Sequence, residues 1–196
     1  MNIISMIGSY WWVGLILLAL VSYKLIFRLF GIVIIPEDKI GLVTKKFVLF
    51  GADKELPDGR IIATKGEAGF QAKALAPGIY FWMWPWQFEV DMQGFVIVPE
   101  GKIGLISSKD GIVPQNGRIL GRRIESDNYQ DSEKFLTNGG QKGRQSAYLV
   151  SGSYRINTHL FEVHITDQIH INENMVGVVT TLDGEPLDEG QIAANE

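Results

Sequence analysis

No cysteine occurs among the 196 residues, which excludes a disulfide framework, a thiolate nucleophile and a cysteine-based zinc site. Histidine is nearly as scarce, with three. Positive charge is not in excess: 18 basic side chains face 22 acidic ones, for a net charge of −4. A nucleic-acid binder needs a basic face to release counterions from phosphate, so nucleic acid is not an expected partner. Collagen-like and low-complexity compositions are absent as well.

What is present is unevenly spread. Residues 1–35 contain 26 apolar residues and no charge except Lys24 and Arg28. The 21 residues from Ile3 to Tyr23 carry no charge at all, and as a helix they would extend about 32 Å, enough for a hydrocarbon core of roughly 30 Å. Ile3, Trp11, Trp12, Leu17 and Tyr23 are therefore expected within a membrane span, with Lys24 and Arg28 at its interface end. A signal peptide would place basic residues before the apolar core and a small-residue cleavage site after it; here the basic residues follow, and no such site is seen. Lys24, Arg28, Lys39, Lys45 and Lys46 all follow the span and no Lys or Arg precedes it. The positive-inside rule then sets a cell-membrane, single-pass topology with the N-terminus outside and the body cytoplasmic.

The body repeats itself. Ile34-Ile-Pro-Glu-Asp-Lys-Ile-Gly-Leu-Val43, Ile97-Val-Pro-Glu-Gly-Lys-Ile-Gly-Leu-Ile106 and His170-Ile-Asn-Glu-Asn-Met-Val-Gly-Val-Val179 are three versions of one segment. The second and third align without gaps at an offset of 73, which also pairs Phe88 with Phe161 and Asp110-Gly111 with Asp183-Gly184. The first lies 63 before the second, with a longer loop, Phe50 to Pro57, ahead of Asp58-Gly-Arg-Ile-Ile62. Ala76-Pro-Gly-Ile-Tyr80 and Val150-Ser-Gly-Ser-Tyr154 are matching return segments. The expected fold is α+β, mainly β: an anchor over 1–31, β-rich modules over 32–94 and 95–168 with a short helix, and an incomplete third repeat over 169–196. That third repeat stops before its return half, as the front of a longer protein would.

Local signals fill in this plan. Pro36-Glu-Asp-Lys39 and Pro99-Glu-Gly-Lys102 supply turns between β-branched runs. Asp110-Gly111 and Asp183-Gly184 read as tight hairpins. Leu160 to Asn172 alternates, with Phe161, Val163, Ile165, Ile169 and Ile171 on one face, as one half-buried strand or two with a bend near Asp167. Asp131 is placed to N-cap a helix over 132–137 that ends at Gly139-Gly140.

The segment Tyr80-Phe-Trp-Met-Trp-Pro-Trp-Gln-Phe88 holds three of the five tryptophans. Read as a strand, it puts Trp82, Trp84, Trp86 and Phe88 on one face and Phe81, Met83 and Pro85 on the other. An aromatic core strand and a protein-partner patch are two readings. A membrane-interface segment, with Phe81, Trp82, Trp84, Pro85 and Trp86 at headgroup level, is the third and favoured one, because indole buries its ring while its N–H stays wet.

Signals for chemistry are missing. His164 and His170 lie about 20 Å apart along a strand, too far to share a metal ion, and the three histidines read as solvated positions. Asn138-Gly-Gly-Gln-Lys-Gly-Arg144 lacks the Gly-Lys-Ser/Thr ending of a phosphate loop. Ser151-Gly-Ser153 is not a nucleophile elbow. The spacing of Asp183, Glu185, Asp188 and Glu189 does not suit a calcium loop, and reads instead as an exposed acidic hairpin. No cofactor, metal or catalytic residue is expected, and the chain is not expected to be an enzyme; an active site beyond these residues is the competing reading.

The anchor, then Val-x-Pro-Glu-x-Lys-Ile-Gly, then Leu75-Ala-Pro-Gly-Ile-Tyr-Phe-x-x-x-Pro85-x-x-x-x-Val90-Asp91, resembles the SPFH, or band 7, superfamily of stomatin, prohibitin and flotillin. The resemblance is best over residues 32–91. It implies a membrane scaffold whose partners are the lipid bilayer and further copies of itself in a large homo-oligomer, organising lipid microdomains; some members restrain membrane proteases. The family's long coiled coil has no counterpart in these residues. The expected function is accordingly a flotillin-like scaffold, with a binding module that recruits or regulates a membrane protease as the alternative.

Overall fold

The computed structural model describes residues 11–49, 56–114 and 118–180. Helix α1, Trp11–Leu29, is apolar on all sides and buries none of its residues against the body. It has a mean hydropathy of 1.8 and is long and apolar enough to cross a membrane. Trp11, Trp12, Leu17 and Tyr23 lie on it, and it continues past Tyr23 through Lys24 and Arg28; Ile3 lies outside the described residues.

The body is mainly β. Strands β1 (Val33–Ile35), β2 (Lys39–Lys45), β3 (Ile62–Ala63), β4 (Gly69–Gln71), β5 (Gly78–Tyr80) and β6 (Phe88–Gly94) come first. Strands β7 (Val96–Val98) and β8 (Lys102–Ser108), helix α2 (Ser132–Thr137), and strands β9 (Gly143–Leu149), β10 (Gly152–Tyr154) and β11 (Phe161–Asp167) follow. The pairing of β1–β6 recurs in β7–β11. β2 lies against β6 with Lys39 opposite Gly94 and Lys45 opposite Phe88; β8 lies against β11 with Lys102 opposite Asp167 and Ser108 opposite Phe161. β1 pairs β5 with Val33 opposite Tyr80, and β7 pairs β10 with Val96 opposite Tyr154. Thr44 meets Phe70 as Ser107 meets Arg144. The offsets are the 63 and 73–74 of the sequence alignment, so register follows the repeated apolar pattern. A slip of one residue would turn every side chain to the wrong face.

Small details recur as well. Tyr80 Oη donates to Ala76 O and Tyr154 Oη to Val150 O, both at 3.0 Å. The Gln71 side-chain amide bonds Glu67 O and Gly69 O, and that of Gln145 bonds Gln141 O and Gly143 O. The turns at 36–39 and 99–102 each close with a 3.2 Å bond from the lysine amide to the proline carbonyl, as the turn residues predict.

The second copy differs by an insertion between Gly121 and Gln141 that carries α2. Asp131 Oδ1 accepts from Lys134 N at 2.9 Å, capping the helix as expected, and Gly139 follows in the left-handed region. Phe135 and Leu136 bury the helix against the sheet, where the rings of Tyr129, Phe135 and Phe161 pack within 5.8 Å of one another. This core also takes in Ile62 and Ala72 of the first copy, so the two copies share apolar burial.

Three expectations change. Asp110-Gly111 is not a tight hairpin, since β8 is flanked by β11 and β9 and the chain bends away after Ser108. The strand expected to reach Asn172 ends at Asp167, and residues 168–180 form no strand, leaving Ile169 94% exposed. His159 is not a solvated strand position: it sits before β11, half-buried, with its ring 4.1 Å from that of Phe70. The acidic segment 183–189 lies outside the described residues.

Candidate membrane-facing site

Helix α1 ends in a Schellman motif. Ile32 N donates to Phe27 O at 2.8 Å and Gly31 N to Arg28 O at 3.3 Å, with Gly31 at φ +62°. Glycine reaches that conformation without a Cβ penalty. Its bare Cα also admits the loop before β6: a Cβ there would lie 2.8 Å from Met83 N and 2.9 Å from Trp84 N. Met83 N donates to Gly31 O at 2.8 Å, and Trp84 Nε1 donates to Leu29 O at 3.1 Å. Two carbonyls at the helix end thus find partners on this loop, and α1 and the body are joined by more than the chain.

The loop is not a strand. Residues 81–87 turn, and β6 begins only at Phe88. Trp82 adopts φ 65°, rare and costly for a bulky residue. The alternation read from the sequence is therefore absent, yet the tryptophans still meet. Phe47 stacks on Trp86 at 5.7 Å, Trp86 on Trp84 at 5.6 Å, and Trp82 meets Trp84 edge-on at 5.4 Å. The ladder is outside the core: Phe81, Trp82 and Trp86 are 58%, 65% and 52% exposed. Trp84, Pro85 and Trp86 line an open groove of about 610 Å³ with Leu25, Arg28 and Leu29 of α1. Lys46 Nζ reaches Pro85 O at 3.2 Å and Glu89 at 3.6 Å, bracing the loop on its polar side.

Of the residues singled out from sequence, Arg28, Trp82, Trp84, Pro85 and Trp86 come together here. Phe81 is exposed beside them without joining the ladder, and Lys24 lies further back on α1, 6.0 Å from the Tyr23 ring. Phe47 and Gly31 were not anticipated.

Among the described residues, no group of three or more His, Asp or Glu side chains is placed to hold a metal ion. His159 has a lowered pKa, chiefly because burial disfavours the charged ring, with Lys109 adding to this and Asp91 opposing it. No family model, curated protein or solved structure matches the chain.

Proposed function

We propose that the chain is a membrane-anchored scaffold of the SPFH kind. In this reading α1 crosses the bilayer and the body lies at the cytoplasmic surface. Copies assemble side by side into a large homo-oligomer that organises lipid microdomains or membrane protein complexes. The observation that carries the reading is the exposed Phe47–Trp86–Trp84–Trp82 ladder at the end of α1. A span ending at Leu29 brings the ladder to the depth where acyl chains give way to headgroups, the environment that suits indole. Lys24 and Arg28 at this end favour the cytoplasmic side.

Assembly is supported by open edges. β6 and β11 each lie at the end of their sheet, and unpaired strand edges recruit further strands. Anchoring in one plane restricts orientation, and a ring satisfies every edge where an open row does not. Mass photometry of the full-length protein in mild detergent tests this, with a uniform large homo-oligomer expected. A uniformly monomeric particle would overturn the scaffold reading in favour of a module that recruits a membrane protease.

A further inference from the structure

The groove between α1 and the tryptophan loop has two unlike walls. Leu25, Arg28 and Leu29 stand at positions i, i+3 and i+4 and so share one face of the helix. Trp84, Pro85 and Trp86 form the wall opposite. The bonds from Met83 N to Gly31 O and from Trp84 Nε1 to Leu29 O pin the two walls together, so the groove is preformed, as ligand sites usually are.

Its lining is apolar apart from one charge. Leu25 and Leu29 are 69% and 71% exposed, and Trp84 and Trp86 present rings stacked at 5.6 Å. Arg28 is the one charged residue of the lining, and among the described residues its guanidinium has no carboxylate partner. Lys24 stands one turn earlier on α1, outside the lining. Glu89, on the polar side of the loop, is paired with Lys46.

A helix C-terminus repels anions through its free carbonyls, but those of α1 are engaged. Ile26 O accepts from Phe30 N at 3.0 Å, Phe27 O from Ile32 N, Arg28 O from Gly31 N and Leu29 O from Trp84 Nε1. The guanidinium therefore sets the sign of the groove.

We propose that this groove seats one anionic phospholipid of the bilayer, with an acyl chain along Leu25, Leu29 and the Trp84 and Trp86 rings and the phosphate on Arg28. The proposal rests on the reading of α1 as a membrane span, and it names the lipid class that the scaffold gathers. Arginine suits the task because its planar fork meets two phosphate oxygens at once. A zwitterionic lipid brings its own cation toward Arg28 and is the poorer occupant. A second apolar helix would bury the guanidinium without a counter-ion, at a cost that a phosphate removes. Basic pockets beside membrane helices on the cytoplasmic side hold anionic headgroups in this way.

Chain-brominated lipids test the proposal. The full-length protein carrying Trp11→Phe and Trp12→Phe is reconstituted in phosphatidylcholine vesicles with a minor fraction of phosphatidylglycerol, the bromine being on one lipid or the other. Brominated phosphatidylglycerol should quench the remaining tryptophans about fivefold more than its share of the lipid gives, the preference that one basic residue confers at an anionic surface. Arg28→Gln should abolish that excess and Arg28→Lys keep part of it. Lys24→Gln removes the same charge outside the groove and should keep most of it. Quenching in proportion to lipid share in the parent overturns the proposal and leaves the membrane reading standing. Equal losses in Arg28→Gln and Lys24→Gln overturn it too, since they mean a diffuse attraction without a site. Tryptophans quenched by neither lipid overturn both readings. A monomeric particle, fatal to the scaffold reading, leaves the lipid preference measurable.

Discussion

Trp84 and Asn157 occupy the same place in successive copies of one strand arrangement. The Trp84 carbonyl accepts from Gln87 N at 2.9 Å and Phe88 N at 2.8 Å; the Asn157 carbonyl accepts from Leu160 N at 3.1 Å and Phe161 N at 2.8 Å. Their side chains do different work. Asn157 Nδ2 donates to Gln71 O and Ala72 O at 3.2 and 3.0 Å, Thr158 bonds Gln93, and His159 packs on Phe70. All three tie the second copy to the first. In the first copy the equivalent positions are Trp84, Pro85 and Trp86, and Trp84 is tied to the end of α1. The surface that in the second copy docks on the first carries, in the first copy, an aromatic ladder beside the end of α1.

The aromatic ladder should lie at the lipid headgroup level. With Trp11 and Trp12 changed to Phe, so that Trp82, Trp84 and Trp86 are the only tryptophans left, brominated lipids should quench most of the tryptophan fluorescence of the full chain reconstituted in vesicles. Unquenched tryptophans in the otherwise intact protein would place the ladder away from the interface.

Gly31→Ala should loosen α1 from the body. The added Cβ meets backbone atoms of Met83 and Trp84 within 3 Å, and φ +62° is itself unfavourable for alanine, a combined cost of about 1–3 kcal/mol. Lower thermal stability, together with red-shifted emission from Trp84, is the expected result.

Asp110→Ala should be among the costliest single changes in the body. It leaves Arg60 without its counter-ion and the Ile61 and Ile62 amides without their acceptor, a loss of about 3–5 kcal/mol for breaking a buried pair. Denaturant unfolding monitored by circular dichroism measures it. A loss below about 1 kcal/mol would mean that water replaces the carboxylate at little cost.

Acid should weaken the joint between copies. Burial lowers the pKa of His159 below its ordinary 6.5, so the unfolded chain binds this proton more tightly than the folded one. The neutral ring's contribution is full above pH 6.5 and declines as pH falls from there toward the lowered folded value. Stability measured between pH 7.5 and 5 should fall less steeply in His159→Gln than in the parent.

Sidedness follows from the charge asymmetry. Single cysteines at Ser5 and Ser107 in this cysteine-free chain should be labelled by an impermeant reagent in intact cells at position 5 and not at 107. The reverse pattern would invert the topology.

The sequence by itself determined what depends on neighbours along the chain. The apolar helix, the capped helix at Asp131, the turns at Pro36 and Pro99 and the repeat register were all legible, because each is written in residues a few positions apart or in a pattern that recurs whole. Only the tertiary structure decided the rest. Asp110-Gly111 has the residues of a hairpin, yet Asp110 meets Arg60, Ile61 and Ile62, far back in the chain, and their amides and charge outweigh its local turn preference. The run Trp82–Trp86 alternates like a strand, but among the described residues no strand pairs with it. Its backbone instead bends through Trp82 onto Gly31 and the carbonyl end of α1, which only the completed fold brings within reach.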